Sequence, residues 1–239
     1  MSANHSLFDT IRDNLAPVHR DGYKFLAIAG AIALGLWILL PFSLLAYLGL
    51  LAAACVAYFF RDPARVTPLR EGLVISPADG LVSAIDKVRP PAELGLGHEE
   101  RVRISIFLSV FDVHINRSPV AGRIVRSVYV PGAFLNAALD KASEENERRS
   151  LVIALPAGGD VAVVQIAGLI ARRIVTFVKE GDTVGVGERF GLIRFGSRVD
   201  VYLPAEHGPL VSVGQRAVGG ETVLADLRSV EPEREARRS

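Results

Sequence analysis

The stretch Val178-Lys179-Glu180-Gly181-Asp182-Thr183-Val184-Gly185-Val186-Gly187-Glu188-Arg189-Phe190-Gly191 sets glycines at turn positions between short β-type runs. Glycine permits the positive φ that such tight turns need. The chain then runs through Arg189–Phe195, the pair Gly196-Ser197, and Arg198–Pro204. Both flanking segments read as strands, so this part of the chain is β-rich. The Gly-Ser pair between them has two readings. It is an ordinary bend, or it is a strained peptide bond held for attack by its own serine.

Outward from this stretch the text stays β-like from Gly72 onward. Leu73–Ile75, Leu81–Ile85, Val102–Leu108, Ile124–Val130, Leu151–Leu155, Val161–Ile166 and Ile174–Val178 alternate or cluster as strands do. Pro90 to Gly97 reads as a loop, Phe134 to Lys141 as a short helix, and Ser143 to Arg149 as a charged loop. The segment Gly181-Asp182-Thr183-Val184-Gly185-Val186-Gly187 is similar to the Gly-Asp-x-Val-x-x-Gly turn of lipoyl-type barrel-sandwich domains.

The N-terminal quarter is of another kind. From Phe25 to Phe60 there is no charged residue. As one helix this run would span about 54 Å, against roughly 30 Å of bilayer hydrocarbon. Pro41 divides it into Phe25–Leu40 and Phe42–Phe60, so the expected form is a helical hairpin that spans or dips into a membrane. Arg20 and Lys24 flank one end, Arg61 and Arg65 the other, which puts both ends on the cytoplasmic side. Arg61-Asp62-Pro63 ends the second helix.

The expected fold class is α+β: a β-rich core with barrel-sandwich-like elements, preceded by an N-terminal hydrophobic helical hairpin. The divisions are a polar segment 1–24, the hairpin 25–60, a β-rich domain 61–227, and a charged tail 228–239 expected to be mobile. Lys+Arg 27 against Asp+Glu 26 leaves a net charge of +1, which argues against a nucleic-acid partner. The single cysteine, Cys55, lies in the apolar run and leaves no disulfide framework.

Three short segments hold candidate chemistry. Ser76-Pro77-Ala78-Asp79-Gly80 has turn composition and a carboxylate, Asp79. Phe107–Leu108 leads into Asp112 and His114, two apart and on one face if the strand continues. A histidine beside Asp, Asn and Arg at a strand end is an acid/base candidate, because its pKa is tunable near neutrality. The third segment is Gly196-Ser197. The five histidines show no metal-ligand spacing, so no metal is expected. No Gly-x-Ser-x-Gly elbow surrounds Ser197, which disfavours a serine hydrolase.

Phe59–Pro63, Ser76–Gly80, Phe111-Asp112-Val113-His114-Ile115-Asn116-Arg117, Lys141 to Arg148 and Phe195-Gly196-Ser197, in this order, resemble the motifs of the phosphatidylserine decarboxylase proenzymes in their short bacterial form. The resemblance covers Phe59 to Pro204 and the hydrophobic N-terminal segment. The long form of that family has Leu-Gly-Ser-Thr at its cleavage site, where this chain has Phe195-Gly196-Ser197-Arg198. The long form also has a second histidine where Arg117 stands, so its Asp-His-Ser triad does not carry over whole.

The resemblance implies self-cleavage between Gly196 and Ser197. Ser197 Oγ attacks the Gly196 carbonyl, and Asp79 or His114 serves as base. Elimination and hydrolysis then convert Ser197 to a covalent pyruvoyl group, the cofactor, with release of ammonia. Large and small subunits from one proenzyme remain associated. The pyruvoyl group forms a Schiff base with phosphatidylserine in the bilayer and acts as electron sink. His114 reprotonates the product, phosphatidylethanolamine, and Arg117 helps hold the phosphodiester. The implied location is the cell membrane, with the catalytic domain on the cytoplasmic side. Homo-oligomerisation and lipid backbone preference are left open. The competing expectation is a membrane-anchored, non-catalytic barrel-sandwich adaptor, which leaves the Asp79, His114 and Lys141–Arg148 segments without a role.

Overall fold

The computed structural model describes residues 16–135, 137, 145–168, 173–194, 197–229 and 237. Most of the helix expected at Phe134–Lys141, the first half of Lys141–Arg148, most of the C-terminal tail, and Phe195-Gly196 lie outside the described residues. The chain divides into two compact units, Met1–Ala64 and Arg65–Ser239.

The first unit is the expected apolar helix pair. Helix α1 is Tyr23–Leu39 and helix α2 is Leu44–Phe59. The turn between them contains Pro41 and is closed by Ser43, whose Oγ accepts from Ala46 N at 3.2 Å. The helices pack closely at Gly49, where an added Cβ would lie 3.2 Å from the Ala33 Cα. A backbone clasp joins the two ends of the pair: His19 N donates to Phe60 O at 2.8 Å, and Asp62 N donates to Pro17 O at 2.7 Å. The segment Arg20–Leu39 is long and apolar enough to cross a membrane, while α2 is shorter.

The second unit contains thirteen strands among its described residues. Eight form one curled antiparallel sheet. These are β2 (Gly80–Val88), β3 (Arg101–Leu108), β5 (Gly122–Val130), β6 (Arg148–Ala154), β7 (Asp160–Ile166), β9 (Thr183–Val184), β11 (Ser197–Pro204) and β12 (Arg216–Ala217). Their order is β12-β2-β3-β11-β7-β6-β5-β9. Register shifts at Val82/Ala84 in β2 and Ile124/Arg126 in β5 help curl it. A three-stranded sheet has the order β4-β10-β8, from β4 (Ile115–Arg117), β10 (Arg189–Ile193) and β8 (Ile174–Thr176). The remaining pair is β1 (Leu73–Ile75) with β13 (Val223–Asp226). The fold is therefore α+β with a strand-rich curled sheet.

Two sequence expectations change. The strand leading to Asp112 stops at Leu108, so Asp112 and His114 do not share a strand face. The charged loop ends earlier than expected, because Arg148 and Arg149 already belong to β6.

Strand β11 lies at the middle of the curled sheet, between β3 and β7. Val199, Val201 and Leu203 enter the main core with Ile104, Ile106, Val161 and Val163. Each such side chain contributes roughly 1.5–3 kcal/mol by leaving water. The opposite face of β11 carries Arg198, Asp200 and Tyr202, and it too is buried. There Arg198 forks onto Asp200, with hydrogen bonds of 2.9 and 3.0 Å.

Candidate active site

The strand register gathers the candidate segments at one end of the curled sheet. Ser197 opens β11 opposite Leu108, the last residue of β3. Phe107 faces Arg198 on one side and Leu81 on the other. Gly80 opens β2 and pairs with Ala217. On the far side of β11, Ile166 is opposite both Arg198 and Arg148, and Ala167 N donates to Glu147 O at 2.9 Å. The Ser76–Gly80 segment, the end of Lys141–Arg148 and Ser197 therefore converge, although up to about 120 positions separate them in sequence. Gly80 is needed for this closeness: a Cβ there would sit 2.2 Å from the Phe107 carbonyl oxygen.

Ser197 is 0% exposed, and its Oγ has no hydrogen-bond partner among the described residues. A buried hydroxyl normally finds a partner; Ser105 Oγ and Ser150 Oγ share this state, and Ser197 differs from them in standing where the candidate segments meet. A serine in this state fits the role of precursor to a covalent pyruvoyl group. Among the described residues, no three His, Cys, Asp or Glu side chains group as metal ligands.

His114 precedes β4 and is buried. Its carbonyl accepts from Ile193 N at 3.2 Å, which places its backbone four residues from Ser197 along the β10 to β11 path. Its Nδ1 lies 2.9 Å from the Asp112 carbonyl oxygen. A neutral ring donating from Nδ1 keeps Nε2 as the basic nitrogen. Asp112 in turn closes the preceding bend, because Oδ2 accepts from Ser109 N at 2.8 Å and Ser109 Oγ at 2.7 Å. Its Oδ1 accepts from Arg216 Nη2.

Asn116 and Gln165, both 0% exposed, join β4 to β7: Gln165 Nε2 donates to Asn116 Oδ1 at 2.7 Å. Gln165 is opposite Val199, two residues from Ala167. Asn116 is likewise two residues from His114. The amide pair thus ties β4, which follows His114, to the sheet that carries Ser197.

Asp79 sits just before β2. One guanidinium nitrogen of Arg65, Nη2, bonds both carboxylate oxygens, at 2.9 and 2.7 Å, and Gly219 N donates to Oδ1 at 2.8 Å. Burial raises the Asp79 pKa above the ordinary aspartate value, the Arg65 charge and Gly219 amide offset part of that rise, and Asp112 adds to it. Arg65 is therefore not a solvated flanking charge of the hairpin. Its side chain is 14% exposed and locked to Asp79.

Arg117 is also buried. Its backbone N donates to Pro77 O at 2.9 Å and its Nη1 to Gly187 O at 3.0 Å. It is held between the Asp79 segment and the glycine turn. Sequence reasoning missed Gln165, Arg216 and the Arg198–Asp200 fork. Only the alternation of Arg198, Asp200 and Tyr202 along β11 hinted at the last.

Comparison with known proteins now decides the family. The model of the family described as phosphatidylserine decarboxylase matches residues 52–225. The chain belongs to the phosphatidylserine decarboxylase family. It is 59% identical over 233 residues to the phosphatidylserine decarboxylase proenzyme of Xanthobacter autotrophicus, covering 98% of this chain and 99% of that one. It is 61% identical over 224 residues to the proenzyme of Azorhizobium caulinodans, covering 92% and 94%. For a member of a decarboxylase family, the row of motif residues at one sheet end is the place to seek the chemistry.

Proposed function

We propose that this chain is a proenzyme that cuts itself between Gly196 and Ser197, then decarboxylates phosphatidylserine to phosphatidylethanolamine at a membrane surface. The observation that carries this reading is Ser197 itself, wholly buried and with Oγ orphaned at the sheet end where the motif segments meet. Nothing in the fold favours the adaptor reading over it.

In self-cleavage, Ser197 Oγ attacks the Gly196 carbonyl carbon and the acyl group moves from nitrogen to oxygen. Both oxygens of Asp79 are engaged by Arg65 and Gly219, so anchoring suits Asp79 better than proton transfer. His114, with Nε2 as its basic nitrogen, suits the role of base. Loss of the Ser197 α-proton expels the ester, leaving a C-terminal carboxylate on Gly196. Water then releases ammonia and leaves the pyruvoyl carbonyl at position 197. Strand β11 belongs to the small subunit, but its neighbours β3 and β7 belong to the large one. Backbone ladders on both sides keep the two associated.

When formed, the pyruvoyl group supplies an electron sink for loss of carbon dioxide from the serine headgroup. His114 delivers the proton to the carbon that carbon dioxide leaves. Arg117 offers a buried guanidinium, held through Nη1 by the Gly187 carbonyl, that would suit the substrate phosphodiester. The apolar helix pair holds the protein to the cell membrane. Arg20, Lys24 and Arg61 favour a cytoplasmic catalytic unit.

Intact mass spectrometry of the purified protein tests the first stage. The expected products are residues 1–196 and a fragment beginning at position 197 with no free amino terminus. Conversion of phosphatidylserine in vesicles tests the second. An uncleaved chain that still decarboxylates would overturn the pyruvoyl mechanism.

A further inference from the structure

We propose that the bend between β3 and β4 is a lipid-inserting tip that seats the catalytic unit on an anionic bilayer. The proposal rests on the phosphatidylserine reading above, which puts the substrate in a membrane. The bend is Ser109-Val110-Phe111-Asp112. It is closed from within: Asp112 N donates to Ser109 O at 3.0 Å, and the Asp112 carboxylate accepts from Ser109 N and Oγ. The two apolar residues at its apex are left toward solvent, Val110 at 39% and Phe111 at 71% exposed.

A single exposed phenylalanine is ordinary on a protein surface. Here it belongs to a patch. Arg216, its side chain 66% exposed, pairs with Asp112 and lies opposite Leu81, itself 41% exposed. Register neighbours on adjacent strands point to the same side of a sheet, so Leu81 and Arg216 share a face. An apolar apex bordered by a guanidinium matches the layering of a bilayer surface. Aromatic and aliphatic groups enter the acyl boundary while a cation stays at the level of the phosphates.

Two further facts select a bilayer as the occupant. The catalytic unit begins at Arg65, with only four residues between it and the end of the uncharged run at Phe60. The bend also leads directly to His114, through the Asp112 carbonyl that meets its Nδ1. A tip seated in the headgroup layer would therefore bring lipid headgroups to the end of the sheet that carries Ser197.

The test compares two substrates. The doubly substituted protein, Val110→Ser with Phe111→Ser, is assayed on phosphatidylserine vesicles and on monomeric dihexanoyl phosphatidylserine, with self-cleavage as a check on folding. The expected result is a loss of about tenfold or more in kcat/KM on vesicles, with unchanged turnover of the monomer. Equal loss on both substrates, or loss on neither, would overturn the proposal.

A second measurement needs no decarboxylation. Phe111→Trp is placed in a Trp37→Phe background, removing the single native tryptophan. Vesicles of phosphatidylglycerol and phosphatidylcholine, brominated in the acyl chain near the headgroup, should quench its fluorescence. Absence of quenching overturns the tip even if decarboxylation is intact. Quenching without decarboxylation supports the tip while the enzymatic reading fails.

Discussion

At the Ser197 end of β11 polar groups are buried among apolar ones: the Ser197 hydroxyl, His114, Asp112 and Asn116 are all nearly or wholly withdrawn from water. At the Pro204 end, roughly 24 Å away along an extended strand, the materials are reversed. A cavity of about 480 Å³ opens there, lined by alkyl groups such as Leu69, Leu73, Val120, Leu155 and Leu227. Two of its lining arginines are more than half exposed in their ion pairs, Arg70 with Asp226 and Arg228 with Glu71. Concavity alone would draw attention to the second end. Dehydrated titratable and nucleophilic groups point to the first, because a low dielectric magnifies every charge interaction that chemistry uses.

Substitutions of decreasing effect sharpen the contrast. Ser197→Ala should abolish both cleavage and decarboxylation, read by intact mass and lipid conversion, and a cleaved or active Ser197→Ala protein would refute the role of this end. His114→Ala should lower decarboxylation by about 10²–10⁴-fold. Near-normal turnover would remove it from the reaction. Along the same strand, Asp200→Ala leaves the Arg198 cation, 3% exposed, without the carboxylate it forks onto. That should cost about 3–5 kcal/mol in denaturant unfolding; a change under about 1 kcal/mol would show the fork to be incidental.

Asp79 gives a test of sign. Its folded pKa is raised, chiefly by burial. The stability linked to its protonation is thus full below the ordinary value of 3.8 and is lost as pH rises through the raised folded value. On acidification from neutrality, the wild-type protein should gain stability relative to Asp79→Asn, measured by urea midpoints. The opposite slope would mean that Arg65 outweighs burial. At the Pro204 end, Arg70→Ala should change stability by less than about 1 kcal/mol and leave cleavage intact, since Arg70 is 59% exposed in its pair with Asp226. A large loss of cleavage there would erase the distinction between the ends.

Much of this architecture was legible in the chain. The uncharged run with Pro41 near its middle reads as two helices, and the structure has them at Tyr23–Leu39 and Leu44–Phe59. Gly181 and Gly187 read as turn residues, and both adopt positive φ, at 94° and 74°. The order of the motifs pointed to the family to which the chain belongs. Less legible was the path between Leu108 and His114. Its hydrophobic text continues past the strand, and only the Ser109–Asp112 hydrogen bonds turn it aside.

By itself, then, the sequence determined what local physics controls: where charge is missing, where proline stops a helix, where glycine turns the chain, and which runs alternate as strands. Only the tertiary structure decided who sits beside whom. Alternation along β11 distinguishes its faces, yet it does not say that the Arg198–Asp200–Tyr202 face is buried, because Tyr202 packs with Leu94, Val152 and Val164 from elsewhere in the chain. Arg65 reads as a membrane-flanking charge until the fold brings Asp79 to it. The text around Ser197 does not say that β3 and β7 flank β11, nor that the Ser197 hydroxyl is withdrawn from water. Strand partners are selected by the fit of distant surfaces, a quantity no short window of sequence contains.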